Sequence, residues 1–303
     1  MQAVLASSGE QLAANILRLC LDETQREGVL AADGHLALIT LLHAGPDSKT
    51  AEHAAGALVN LSHHVPTSRL PIVQAGAAAP IVALLRTAPT ASNKVLLGNA
   101  AIVVNNLAMT TAGIEACLKE GAIATLVSLL GASAEIADAA AGALCNLSYD
   151  DEAKKDVNHA EIREAGAIPP LVTLLHGETA RTAAGALRNL TNDGAGPAAI
   201  RSAGGIVPLV ALLHAAEAAT PENAACALDN MGFHDQQSRS AILAALAARP
   251  PPPPPHDDWP YLAKLLKKLQ PTATERLTAA EAGDDSAALQ QAIDQAAAVG
   301  VAD

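Results

Sequence analysis

Residues Gly166–Thr191 read GAIPPLVTLLHGETARTAAGALRNLT, and both halves of that stretch recur along the chain. The second half is echoed by AGALVNLS, VVNNLAMT, AGALCNLS and ACALDNMG. Together these segments place an asparagine at Asn60, Asn106, Asn146, Asn189 and Asn230, with successive gaps of 46, 40, 43 and 41 residues. The first half, a glycine followed by an apolar run, is echoed by GHLALITLL, GAAAPIVALL, GAIATLVSLL and GGIVPLVALL. The lead glycines are Gly34, Gly76, Gly121, Gly166 and Gly204. A helical repeat of roughly 40–47 residues is the signature of an α-solenoid. Such a unit cannot bury its apolar face alone, so it stacks on its neighbours and leaves a long shared surface. Function is to be sought on that surface rather than in a pocket.

Each repeat reads as three helices. In the unit 155–192, VNHAEIREAG forms a short first helix stopped at Gly166, and AIPPLVTLLHG forms a second. Pro169 and Pro170 fit the first turn of that second helix, where a missing N–H costs little. ETARTAAGALRNLTND is the third and longest, with Ala183, Ala186, Leu187 and Leu190 on one apolar stripe. The same division fits 22–63, 66–109, 110–149 and 195–233. Residues 1–21 hold a capping third helix over 10–21, with Leu19 in the asparagine's place, and 235–249 open a further unit that is not completed. The corner glycine is explained by a tight bend that needs positive φ or close backbone approach. Between Tyr149 and Asn158 the extra residues predict a longer, charged surface loop.

Composition agrees with closely packed helices. Half of the 303 residues are apolar, yet only four are Phe, Tyr or Trp, so the core is built of Ala, Leu, Ile and Val. A β sandwich would want many more aromatic and β-branched residues. A formal charge of −12 argues against broad nucleic-acid binding, which needs a basic face to displace phosphate counterions. Cys20, Cys117, Cys145 and Cys226 lie far apart with no CxxC pair and read as buried thiols. There is no basic leader, no myristoylation glycine and no uncharged transmembrane run, so a cytoplasmic or nuclear location is expected. No nucleophile elbow, phosphate loop or metal-binding pattern is present. The expectation is a non-enzymatic protein with no cofactor, no catalytic residue and no metal site.

The pair GAIPPLVTLL and AAGALRNLT resembles armadillo repeats, especially those of vacuolar-protein-8-like and plant U-box-associated proteins. The resemblance covers about residues 10–248. It implies an all-α, right-handed α-solenoid of five full three-helix units plus partial end units, with the third helices lining a concave groove. It further implies that the third-helix asparagine holds the backbone of a partner polypeptide, a role that would fall on Asn60, Asn106, Asn146, Asn189 and Asn230. An amide offers donor and acceptor together, which suits that task. One departure is plain. Import receptors of similar build carry a tryptophan four residues before the asparagine, and here those positions hold Gly56, Ile102, Gly142, Gly185 and Cys226. Without an aromatic ladder for lysine capture, the chain is not expected to be such a receptor.

Selectivity is expected from residues sharing the asparagine's face. Eight residues earlier stand Glu52, Gly98, Asp138, Arg181 and Glu222, and one residue earlier Arg188 joins Arg181 as a patch suited to a carboxylate or phosphate. After the array, at the start of a linker over 250–258, come six prolines, Pro250–Pro255, which span roughly 19 Å as polyproline II. The linker is a spacer and a candidate ligand for SH3-, WW- or profilin-type domains. Residues 259–303 read as a helical tail. Within it, 259–270 set Tyr261, Leu262, Leu265, Leu266 and Leu269 opposite Lys264, Lys267 and Lys268, a basic amphipathic helix that either covers the open end of the array or touches an anionic membrane. The alternative functions are a membrane- or cytoskeleton-associated adaptor working through this tail, or the substrate-recognition part of a ubiquitin ligase.

Overall fold

A computed structural model describes residues 2–149, 155–192, 194–215 and 219–248. The proline run and the tail segment 259–270 lie outside the described residues. The described residues form seventeen α-helices and no strand. They fall into two compact units, residues 1–167 and 168–303.

In the first unit α1 (Gln2–Leu21) stands alone and three triplets follow. These are α2 (Arg26–Ala31), α3 (Gly34–Leu41) and α4 (Lys49–His64), then α5 (Arg69–Gln74), α6 (Ala78–Leu85) and α7 (Lys94–Leu107), then α8 (Thr111–Lys119), α9 (Ala122–Leu129) and α10 (Ala134–Leu147). The unit closes with α11 (Lys155–Glu164). Third helices stack side by side, α1 on α4, α4 on α7 and α7 on α10, with α6 and α9 packed against α7 and α10. Ala54, Leu58 and Leu61, Leu97, Ala101 and Val104, and Ala137, Ala140 and Leu144 are buried between them. Their helical spacing makes the apolar stripe that the repeat reading required. Alanines at these contacts let neighbouring axes come close, and they carry the best helix propensity.

The second unit holds α12 (Ile168–Leu174) and α13 (Ala180–Leu190). A triplet follows of α14 (Gly196–Ser202), α15 (Ile206–Leu212) and α16 (Ala219–His234), and then α17 (Gln236–Ala248). Here α13 stacks on α16, and α17 packs on α14, α15 and α16.

The corner between first and second helices is a Schellman motif. The amide of Ala77 donates to the carbonyl of Ile72 (3.3 Å) and that of Gly76 to Val73 (2.9 Å). Ala167 and Gly166 repeat the pair with Ile162 and Arg163, and Gly205 and Gly204 repeat it with Ile200 and Arg201. The motif demands a left-handed residue, supplied by Gly76, Gly121, Gly166 and Gly204 at φ 71–83°. The first repeat departs by one residue. There Asp33 takes the left-handed conformation at φ 56°, and Gly34 stands where the other repeats have Ala77, Ala122, Ala167 and Gly205. A Cβ on Gly34 would lie 2.5 Å from Val29 Cγ1, so this glycine answers to close approach and not to φ.

At three junctions, residues in or just before the first helix of a triplet cap the third helix before it, whose last carbonyls lack intrahelical partners. Arg26 Nε donates to the carbonyl of Cys20 (2.8 Å). Ser68 Oγ and Arg69 Nε donate to Leu61 (2.9 Å) and Ser62 (2.8 Å). Asn158 Nδ2 donates to Leu147 (3.3 Å), and His159 Nε2 lies 2.8 Å from the Ser148 carbonyl. His159 is 1 % exposed, and that carbonyl fixes its Nε2–H tautomer.

Two expectations are amended. The charged loop after Tyr149 is shorter than foreseen, because Lys155 and Asp156 already belong to α11. Of the four thiols only Cys20 and Cys117 are buried, while Cys145 and Cys226 are half-exposed on third helices. Burial pushes the Cys20 thiol up to about 11 and that of Cys117 to about 12, where the nearby Glu120 adds to the rise. Neither is a nucleophile at neutral pH.

Candidate partner-binding face

Third-helix residues left partly open to solvent fall into columns. In the first unit Glu52, Val59 and Asn60 on α4, Gly98, Ile102 and Asn105 on α7, and Asp138, Gly142, Cys145 and Asn146 on α10 are all half-exposed. In the second unit Arg181 on α13 is exposed, while Arg188 and Asn189 are half-exposed, as are Glu222, Cys226, Asp229 and Asn230 on α16. Glu52 is held by Lys49 Nζ at 2.7 Å. Arg188 donates to Asn223 Oδ1 (3.3 Å), and Asn223 Nδ2 donates to the Arg181 carbonyl (3.3 Å). The foreseen Arg181–Arg188 patch is therefore tied to α16 through one asparagine.

Three of the five ladder asparagines, Asn106, Asn146 and Asn230, are joints between repeats. Asn106 Nδ2 donates to Ser62 Oγ of the preceding third helix (3.0 Å), and Asn106 is only 2 % exposed. Its expected place in the groove is corrected to an interior one, since the hydroxyl of Ser62 draws the amide inward. Asn146 Nδ2 donates to both the carbonyl and the Oδ1 of Asn105 (2.9 and 2.8 Å). Asn230 Nδ2 donates to Thr191 Oγ1 (3.1 Å) and Asn192 Oδ1 (2.8 Å). Asn60 turns to its own helix and donates to the Gly56 carbonyl (2.9 Å).

A simple rule orders these partners. Ser62 and Thr191 stand two residues after the preceding asparagine. Where that place holds Ala108, Asn146 takes Asn105 instead. Where it would be Leu21 in α1, Asn60 has no hydroxyl to reach. An amide has two donors, and in Asn146 and Asn230 both are spent inside the protein. The signal for the hydroxyl was present in the sequence as the last letter of AGALVNLS and AGALRNLT.

At Gly56, the first of the positions that carry tryptophan in import receptors, side chains of the neighbouring helices close in. A Cβ on Gly56 would stand 3.3 Å from Asn99 Nδ2 of α7 and 3.5 Å from Leu17 Cδ1 of α1. The bulky exposed residues lie instead three places after the asparagine, as His63, Met109, Tyr149 (77 % exposed) and Phe233 (84 % exposed). That row was not foreseen, although its spacing was readable. Among the described residues no group of His, Cys, Asp and Glu is placed to hold a metal ion. No single described helix is long and apolar enough to cross a membrane.

Residues 158–192 match the family model of the Armadillo/beta-catenin-like repeat. The chain has the fold of armadillo-repeat solenoids. Two solved engineered proteins share the fold. One has 27 % identity and a TM-score of 0.66 over 76 % of this chain and 92 % of its own. The other has 25 % identity and a TM-score of 0.73 over 95 % of this chain and 73 % of its own. A designed armadillo repeat protein solved in complex with the peptide (KR)4 matches at 24 % identity and a TM-score of 0.59, over 75 % and 91 %. No curated protein matches the chain significantly. The repeated triplets account for the stacked third helices and for the all-α architecture.

Proposed function

We propose that the chain is a non-enzymatic protein-interaction scaffold whose third helices receive an extended segment of a partner protein. The observation that carries this reading is the hydrogen-bonding state of the ladder. With the amide donors of Asn146 and Asn230 spent on neighbouring repeats, the third-helix face of each unit presents their Oδ1 atoms among carboxylates, Glu52 (beside Lys49) and Asp138 in the first and Glu222 and Asp229 in the second. A surface of acceptors selects a segment rich in donors, namely backbone N–H groups and cationic side chains. Charge complementarity adds to encounter rate and specificity, since the chain carries −12. Without tryptophans to sandwich lysine stems, affinity rests on hydrogen bonds and charge, and binding weakens steeply with salt.

The test uses labelled (KR)4 and its N-methylated counterpart, titrated into the full chain by fluorescence anisotropy at low and at physiological salt. Binding that is lost on N-methylation, and weakened by Glu52→Lys with Asp138→Lys, supports the reading. Equal binding of both peptides, or none at low salt, refutes it. Asn106 takes no part in the contact, and its substitution is expected to act through stability alone.

A further inference from the structure

The amide of Asn105, on α7 in the first unit, is held in one orientation. Asn146 Nδ2 of α10 lies 2.9 Å from the Asn105 backbone carbonyl and 2.8 Å from the end of its side chain. A backbone carbonyl only accepts, so the atom that Asn146 turns towards it is nitrogen. That nitrogen needs an acceptor for its second hydrogen, which makes the facing atom of Asn105 its oxygen. The Asn105 Nδ2 group therefore points away from Asn146. It has no acceptor among the described residues, and Asn105 is half-exposed. Gly142 completes the seat. A Cβ there would lie 3.5 Å from Cγ, Nδ2 and Oδ1 of Asn105 alike, so the amide lies flat across the glycine.

We propose that Asn105, one place before the ladder position, grips the partner's backbone in the first unit. Its Nδ2 donates to a peptide carbonyl of an extended cationic segment, beside the Asn146 Oδ1, which accepts a backbone N–H. This rests on the scaffold reading and adds to it the atom that fixes the partner's register.

Orientation, charge and position all favour this occupant. A donor and an acceptor side by side match the C=O and N–H that an extended chain presents along one edge. The amide is already immobilised by Asn146 and Gly142, so little side-chain freedom is lost when the contact forms. An anionic acceptor is disfavoured, because Asp138 stands one turn before Gly142 on the same half-exposed column and like charges brought together are costly. A neutral carbonyl within a basic segment meets no such penalty. Asn106 cannot do this work, being buried and bound to Ser62. In the other repeats the place of Asn105 holds Val59, Cys145, Arg188 and Asp229, so an amide is presented there once along the third helices.

Fluorescence anisotropy at low salt, with labelled (KR)4 and labelled spermine, separates this contact from charge, because spermine carries cations but no carbonyl. Asn105→Asp keeps the acceptor that Asn146 uses and removes the donor. Asn99→Asp adds the same charge to α7 and serves as the control. Spermine should bind the two variants alike. (KR)4 should bind Asn105→Asp about three- to tenfold more weakly than Asn99→Asp. In the isotope-labelled wild type, the assigned side-chain NH2 resonance of Asn105 should shift further with (KR)4 than with spermine.

Equal (KR)4 binding by the two folded variants, or an Asn105 resonance that (KR)4 does not move at saturation, overturns the proposal and leaves the scaffold reading standing. No (KR)4 binding by the wild type overturns both. If Asn105→Asp does not fold, the wild-type resonance decides alone.

Discussion

Asn60, in AGALVNLS, bonds to the carbonyl of Gly56 in its own helix and stays half-exposed, whereas Asn106, in VVNNLAMT, reaches Ser62 of the preceding repeat and is buried. The two occupy one repeat position, and what separates them lies one repeat earlier. Ser62 precedes Asn106 with a hydroxyl, and α1 precedes Asn60 with the apolar Leu21. A repeat motif therefore fixes where a side chain starts, and the previous copy decides where it ends. A residue shared by all copies need not share one role.

The largest effect is expected at the buried rung. Ser62→Ala leaves the Asn106 amide without its acceptor in a closed site and should cost about 1–3 kcal/mol by urea unfolding. Asn106→Ala should cost at least as much, and the pair should show coupling of about 0.5–3 kcal/mol in a double-mutant cycle. Independent, additive losses would break the comparison. Next comes a test of the hydroxyl rule itself. Asn105→Ala should cost about 1 kcal/mol, and adding Ala108→Ser, which restores the hydroxyl two places after the asparagine, should recover part of it. No recovery would show that Asn146 does not choose its partner by position.

The junction between α16 and α17 makes a third contrast, because there a charge does what amides do elsewhere. Asp235 accepts from the Ser238 amide (3.1 Å) and from Arg201 Nε (3.0 Å). Hydrogen bonds from Ser238, with Arg201 contributing after them, hold its carboxyl below the usual carboxylate range. A carboxyl with a depressed folded value stabilises the fold above its unfolded value, and that contribution fades as pH falls through the folded one. Asp235→Asn should therefore cost about 1 kcal/mol at neutral pH, and the difference should vanish in acid. The amide rungs should show no such dependence. The smallest effect belongs to Asn60→Ala, expected within about 0.5 kcal/mol, since its bond is local and half-solvated.

Much of the architecture was readable because it repeats. The triplets, the corners and the third-helix asparagines all follow from spacing, although α1 runs from Gln2 and not from residue 10. What escaped did so for physical reasons. The corner of the first repeat shifted by one residue because Asp33, unlike most residues, tolerates the left-handed region, and so the motif's glycine was not the turn residue. The helix-terminating donors were invisible as a repeat because Arg26, Ser68 with Arg69, and Asn158 with His159 do one job with different chemistry. The asparagines were legible as positions and misjudged at Asn106, because the destination of an amide depends on a hydroxyl some 40 residues earlier, a distance that sequence periodicity alone does not weigh.

Gly56 sits with Leu17 of α1 on one side and Asn99 of α7 on the other, and a methyl group there would stand 3.3 Å from the Asn99 amide, so that this side chain would have to give way. A larger residue there would act as a wedge and change the pitch at which consecutive third helices lie. Where the same position holds Ile102 or Cys226 the side chain is half-exposed, so the tight approach belongs to the stack of α1, α4 and α7 and not to every joint.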